Sequence, residues 1–165
     1  MEVHLNEAAP LVERLAAVLR ARGARLATAE SCTGGLVAAA CTSLAGSSDW
    51  FERGFVTYSN AAKSELLGVA PGLIEAHGAV SREVACAMAD GALARSLAAV
   101  AVAVTGIAGP GGATPGKPVG TVWIAVASAG HAAQATLLQV QGDRAAVRAV
   151  SVVHALALLL EHCEA

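Results

Sequence analysis

Apolar residues recur along the chain first at helical and then at strand spacing. Leu11, Leu15, Val18 and Leu19 fall at i, i+4, i+7 and i+8, which predicts an amphipathic helix over residues 8–22 with Gly23 as its stop. Residues 25–29 predict a short strand, followed by an alanine-rich helix over 35–44 and a Gly46-Ser47-Ser48 loop. Phe55, Val56 and Tyr58 place a second strand over 54–59. Asn60 is the expected cap of a helix carrying Ala61, Lys63, Leu66 and Leu67. A short helix over 71–77 closes at Gly78, and Ser81 caps a longer one to Leu97, with Glu83 in its first turn.

The second half is richer in strands. Residues 98–105 form a continuous, valine-rich apolar run bounded by glycine, as expected of a central strand covered on both faces. The following segment, 106–120, holds six glycines and three prolines and predicts a loop. Strands over 121–128 and 132–140 read as a hairpin, and Gly142-Asp143 opens a last helix to about residue 161. Helices alternating with doubly covered strands predict an α/β fold, a three-layer α/β/α sandwich whose hairpin makes the sheet mixed. No repeat or linker interrupts it, so residues 1–165 are expected to form a single domain.

Composition narrows the function. The chain is 55% hydrophobic and 15% charged, which excludes disorder. A net charge of −2 gives no general attraction to nucleic acid or to an anionic membrane, and neither is expected as a partner. Apolar runs such as 97–104 are far too short to span a bilayer. The polar start, Met1 to Asn6, is unlike a secretory signal, so a cytoplasmic location is expected. Cys32, Cys41, Cys86 and Cys163 lack zinc-ligand spacing and read as reduced thiols, three of them core residues. His4, His77, His131, His154 and His162 are scattered and read as structural or exposed, so no metal is expected. The basic residues are nine Arg but only Lys63 and Lys117. A lysine kept against that background points to a need for an amine, because lysine can lose its proton on burial and arginine cannot.

Four segments could carry chemistry. Glu30-Ser31-Cys32-Thr33-Gly34-Gly35 lies where a strand gives way to a helix, so unpaired amides there could hold an anion or oxyanion; equally, Ser31 or Thr33 could simply cap the helix. Thr57-Tyr58-Ser59-Asn60 leads to Lys63, at the same sheet edge as Ser31 if the two strands are parallel. A buried lysine beside a serine hydroxyl can act as its base. Thr105-Gly106 opens the glycine-rich loop, suited to close contact with a nucleotide. Gly111 to Lys117 mimics a phosphate-binding G-x-x-x-x-G-K, but Pro118 replaces the magnesium-holding hydroxyl and a strand follows where a helix is needed. Finally, Arg144 and Arg148 share a helix face near a helix N-terminus, an arrangement that suits a bound phosphate; a solvated face with Asp143 as cap is the alternative.

Thr28-Ala29-Glu30-Ser31-Cys32-Thr33-Gly34-Gly35, Gly54-Phe55-Val56-Thr57-Tyr58-Ser59-Asn60 with Lys63, Gly78-Ala79-Val80-Ser81, Thr105-Gly106-Ile107-Ala108-Gly109-Pro110-Gly111-Gly112 and Lys117-Pro118-Val119-Gly120-Thr121-Val122 together resemble the C-terminal domain family of the competence-damage protein CinA. The resemblance covers residues 7–160. It implies a three-layer α/β/α sandwich and, as in stand-alone family members, hydrolysis of the carboxamide of nicotinamide mononucleotide to nicotinate mononucleotide and ammonia. It also implies Ser31 as nucleophile, Lys63 as base and Tyr58 beside them. Cys32, Thr33, Gly34, Thr105, Gly106, Arg144 and Arg148 are then the expected substrate contacts. No cofactor is implied, assembly into a homo-oligomer is, and the pyrophosphatase domain found in some members has no room in 165 residues. Two other readings use the same pocket: a nucleotide-binding module without turnover, and an amidase for a different phosphorylated amide.

Overall fold

The computed structural model describes residues 2–165, with side chains from residue 6 onward. Five strands, β1 (Leu26–Glu30), β2 (Phe51–Val56), β3 (Val100–Gly106), β4 (Thr121–Ser128) and β5 (His131–Gln139), form one sheet in the order β2-β1-β3-β4-β5. β1 is parallel to both β2 and β3, whereas β3–β4 and β4–β5 are antiparallel, so the sheet is mixed as expected. Six helices cover it: α1 (Glu2–Arg22), α2 (Leu36–Thr42), α3 (Asn60–Leu67), α4 (Pro71–His77), α5 (Arg82–Ala94) and α6 (Arg144–Glu164).

The period-2 alternation of the strands builds two different cores. One face of the sheet carries Leu26, Val100, Val102, Val104, Val122, Ile124 and Val126, which meet Leu15 and Leu19 of α1, Val37 of α2 and Leu156 and Leu159 of α6. The other face carries Ala27, Ala29, Ala101, Ala103, Ala125 and Ala127 against Val84 and Met88 of α5, Leu67 of α3 and Ile74 of α4. The alanine face lets α5 approach closely, and its volume is made up by the larger residues of the helix. The result is a three-layer α/β/α sandwich, with α1, α2 and α6 on one side and α3, α4 and α5 on the other.

Several boundaries differ from the sequence reading. β2 starts at Phe51 and ends at Val56, because it is an edge strand whose outer positions tolerate Glu52 and Arg53. Residues 57–59 have left the ladder, and Ser59, not Asn60, caps α3, its hydroxyl accepting from the Ala62 amide at 3.0 Å. α5 stops at Ala94, where Ser96 accepts a hydrogen bond from the Ala98 amide and turns the chain into β3. α1 continues past Pro10 to Glu2, and α6 runs on to Glu164, which pairs with Arg14 of α1 at 2.7 Å.

α6 also departs from the expectation that apolar runs are short. Its 21 residues are long and apolar enough to reach across a bilayer, yet half of that stretch is buried within the fold, as in the core helix of a layered domain. All four cysteines are free, and Cys32, Cys41 and Cys163 are buried. His77 lies near Glu83, His162 contacts Ser128, and His131 and His154 are exposed; His4 falls outside the described side chains.

Candidate functional site

The chain leaves β1 through α2 to reach β2 on one side, then crosses the other face through α3, α4 and α5 to reach β3 on the opposite side of β1. The connections therefore diverge at the carboxyl end of β1, the place where an open α/β sheet leaves a crevice. Ser31 follows the last residue of β1, and Gly106 ends β3 beside it.

The Ser31 amide still donates to Val104 O at 2.9 Å, so the backbone remains tied to the sheet up to the hydroxyl. Two glycines with positive φ, Gly34 at 59° and Gly35 at 105°, then turn the chain into α2. The turn is held at several points. The fully buried Glu30 accepts from Thr33 Oγ1 at 2.7 Å and from the Val37 amide at 2.8 Å through Oε1, and from the Ala38 amide at 3.1 Å through Oε2. Neither Ser31 nor Thr33 caps α2; the glutamate does so from seven residues away. Arg148 of α6 donates to the carbonyls of Cys32 at 3.1 Å and Thr33 at 3.4 Å.

Lys63 lies in the first turn of α3 and points back toward the sheet. Its side chain is buried, and Nζ lies 3.1 Å from Ser31 Oγ and 3.1 Å from Thr57 O. Burial holds the amine below its ordinary value, opposed by the neighbouring Cys32 thiol. Among the described residues no carboxylate pairs with it. Nζ donates to both oxygens here, and a neutral amine at the same place could keep one N–H on Thr57 O and turn its lone pair to the serine hydroxyl. Burial also pushes the Cys32 thiol up to about 11, so beside Ser31 it stays protonated and weakly nucleophilic near neutrality.

Other residues singled out in the sequence are placed less directly. Tyr58 is exposed, and its hydroxyl accepts from Arg144 at 2.7 Å; it makes no hydrogen bond to Ser31 or Lys63. Arg144 also donates to Gly109 O at 2.9 Å and so ties α6 to the glycine-rich loop. The Thr105 hydroxyl donates to Ala79 O at 2.9 Å, joining the end of β3 to the turn before α5. Gly106 is needed for close packing, since a Cβ there would stand 2.7 Å from the Val122 side chain. The Gly34 amide is engaged by Ser31 O at 2.9 Å. Lys117 donates to His77 O at 2.8 Å and pins the loop to the end of α4, and β4 follows it, as the failed phosphate-loop match requires. Glu30 is the residue that the sequence reading passed over. Its only signal was its place in the motif beside Ser31, since its partners lie up to eight positions away.

Comparison with known proteins supplies the context for this geometry. The family model of the CinA C-terminal domain matches residues 8–163. The chain belongs to this family. Nicotinamide-nucleotide amidohydrolase PncC of Escherichia coli K12 is 50% identical over 154 residues, which is 93% of each chain. A putative competence-damage inducible protein of Symbiobacterium thermophilum is 54% identical over 157 residues, 90% of this chain but 37% of its own length. This CinA-family chain is thus nearly coextensive with the former and spans little more than a third of the latter. Among solved structures, the competence/damage inducible protein CihA of Agrobacterium tumefaciens superposes with a TM-score of 0.91 at 44% identity, covering 94% of both chains.

Proposed function

We propose that this CinA-family chain is an amide hydrolase that deamidates nicotinamide mononucleotide to nicotinate mononucleotide and ammonia, with Ser31 as nucleophile and Lys63 as its base. The observation that carries the proposal is the buried Nζ held 3.1 Å from Ser31 Oγ with no acidic partner among the described residues. The similarity to PncC over nearly the whole chain supports the substrate.

Lys63 takes the hydroxyl proton as Oγ attacks the carboxamide carbon. The oxyanion forms beside the nucleophile turn. The amides of Ser31 and Gly34 are already engaged, which leaves those of Cys32, Thr33 and Gly35 as its donors. Collapse breaks the C–N bond, and the nitrogen leaves as ammonia with the proton carried by Lys63. Water, deprotonated by the same amine, then attacks the ester on Ser31 and releases the acid, returning the proton to Oγ. No step calls on a metal or cofactor. Arg144 and Arg148, at the start of α6, are the groups offered to the phosphate, through donors not engaged by Tyr58, Gly109, Cys32 and Thr33. Residues 1–165 act as one catalytic unit in the cytoplasm.

Purified protein incubated with nicotinamide mononucleotide should release ammonia and nicotinate mononucleotide in equal amounts. Free nicotinamide, which lacks the ribose phosphate, should be a far poorer substrate. Tight nucleotide binding without ammonia would replace the enzyme by a binding module.

A further inference from the structure

A carboxylate directly preceding the nucleophile, wholly buried and without an arginine or lysine partner among the described salt bridges, has no place in the steps above. We infer that Glu30 is a positioning residue, whose carboxylate holds the nucleophile turn so that Ser31 Oγ stays in reach of Lys63 and the turn amides stay aimed at the reacting carbonyl. The inference rests on the Ser31–Lys63 reading.

The carboxylate ties together three points of one turn. Thr33 lies two residues after Ser31, and Val37 and Ala38 lie in the first turns of α2. All three donors converge on Glu30, whose backbone belongs to the rigid centre of the sheet, with its carbonyl accepting from the Thr57 amide at 2.8 Å. The same residue therefore fixes the turn that carries Ser31 and the segment whose Thr57 carbonyl receives Lys63 Nζ at 3.1 Å. Arg148 adds a second tie through the Cys32 and Thr33 carbonyls. A peptide carbonyl and the amide that follows it point in opposite directions. Fixing the Cys32 carbonyl thus fixes the direction of the Thr33 N–H, which the mechanism needs. With positive φ at Gly34 and Gly35 the turn has little rigidity of its own, so its shape depends on these outside contacts.

Two substitutions separate the parts of this role. Glu30→Asp keeps the charge but shortens the reach by one methylene. Glu30→Gln keeps the length, yet whichever way its amide turns, an NH2 group faces an amide or hydroxyl donor. Loss of alignment at a reacting centre costs roughly 10- to 100-fold in kcat, so both variants should lose that much with KM changed less than about threefold. Thr33→Val removes one tie and should lose kcat in the same sense, and Thr33→Ser should restore it. Circular dichroism and thermal unfolding identify variants that fold. If neither Glu30 variant folds, the Thr33 pair carries the test.

Labelling of Ser31 by a fluorophosphonate, read by intact mass against Ser31→Ala as blank, needs no nucleotide. It should slow in folded Glu30→Gln in parallel with kcat. Slow labelling of the variant beside fast labelling of a wild type that does not deamidate the nucleotide would uphold the positioning role and reject the substrate. Folded Glu30 variants that turn over and label at the wild-type rate, or a Thr33→Val variant with unchanged kcat, would overturn the role. So would a wild type that shows neither reaction.

Discussion

A lysine amine inside a protein is a base only if the interior keeps it from being an ammonium. At Lys63 burial pushes the amine below its ordinary value, and among the described residues no carboxylate pairs with it to restore the charge. The rising limb of kcat/KM against pH should therefore have its midpoint below the ordinary lysine value of 10.5. A pH–rate profile checks this, and a limb at or above that value contradicts it. Lys63→Arg, which cannot deprotonate, should abolish turnover while leaving the circular dichroism spectrum intact. The lowered value has a second consequence. Between it and 10.5 the unfolded chain holds a proton that the folded chain lacks, so stability rises with pH across that window. Urea unfolding should show the rise in the wild type and lose that component in Lys63→Met. The meeting of Ser31 and Lys63 at one sheet edge was legible in the sequence, because each follows the end of a strand and the two strands are parallel. Glu30, and the grip of Arg148 on the turn, were not legible, since the arginine lies 116 positions from the carbonyl it binds.

The position of that lysine depends on how α3 sits on α5. Gly91 of α5 faces the end of α3, and a Cβ there would run into the Leu67 carbonyl. Because the obstacle is backbone, Gly91→Ala must push the helices apart, and overpacking of this kind costs about 1–3 kcal/mol. Thermal unfolding should show the loss, and kcat should fall as well, since the helix displaced is the one that brings Nζ to Ser31. Unchanged kcat in the folded variant would mean that α3 absorbs the shift beyond Lys63. At this scale the helices and central strands were legible from periodicity, and the Asp143 cap of α6 from its residue type; its carboxylate accepts from the Ala146 amide at 2.9 Å. β2 was misjudged at both ends. Charged residues on an edge strand weaken the alternation, and the chain's exit at Thr57 is set by the need to present Ser59 to α3.

Across the whole molecule, much of the stabilising core lies away from the candidate site. The core between the sheet and α1, α2 and α6 is built of valines and leucines that extend well beyond the crevice. Leu156, fully buried there, belongs to the stability side. Leu156→Ala should lower the unfolding free energy by about 2–5 kcal/mol and leave kcat per folded molecule unchanged. The layer architecture followed from alternating elements, but the strand order did not, because apolar runs do not name their neighbours. That order puts β1 between β2 and β3 and brings Ser31 and Lys63, 32 positions apart, to one crevice. Whether that meeting is a catalytic one is tested most directly by ammonia release from nicotinamide mononucleotide in the wild type and in Ser31→Ala. A nucleophile accounts for roughly 10⁴-fold or more in turnover, so the wild type should release ammonia steadily and the variant should fall by at least that factor with its fold intact. Ammonia release by Ser31→Ala near the wild-type rate would contradict the assignment.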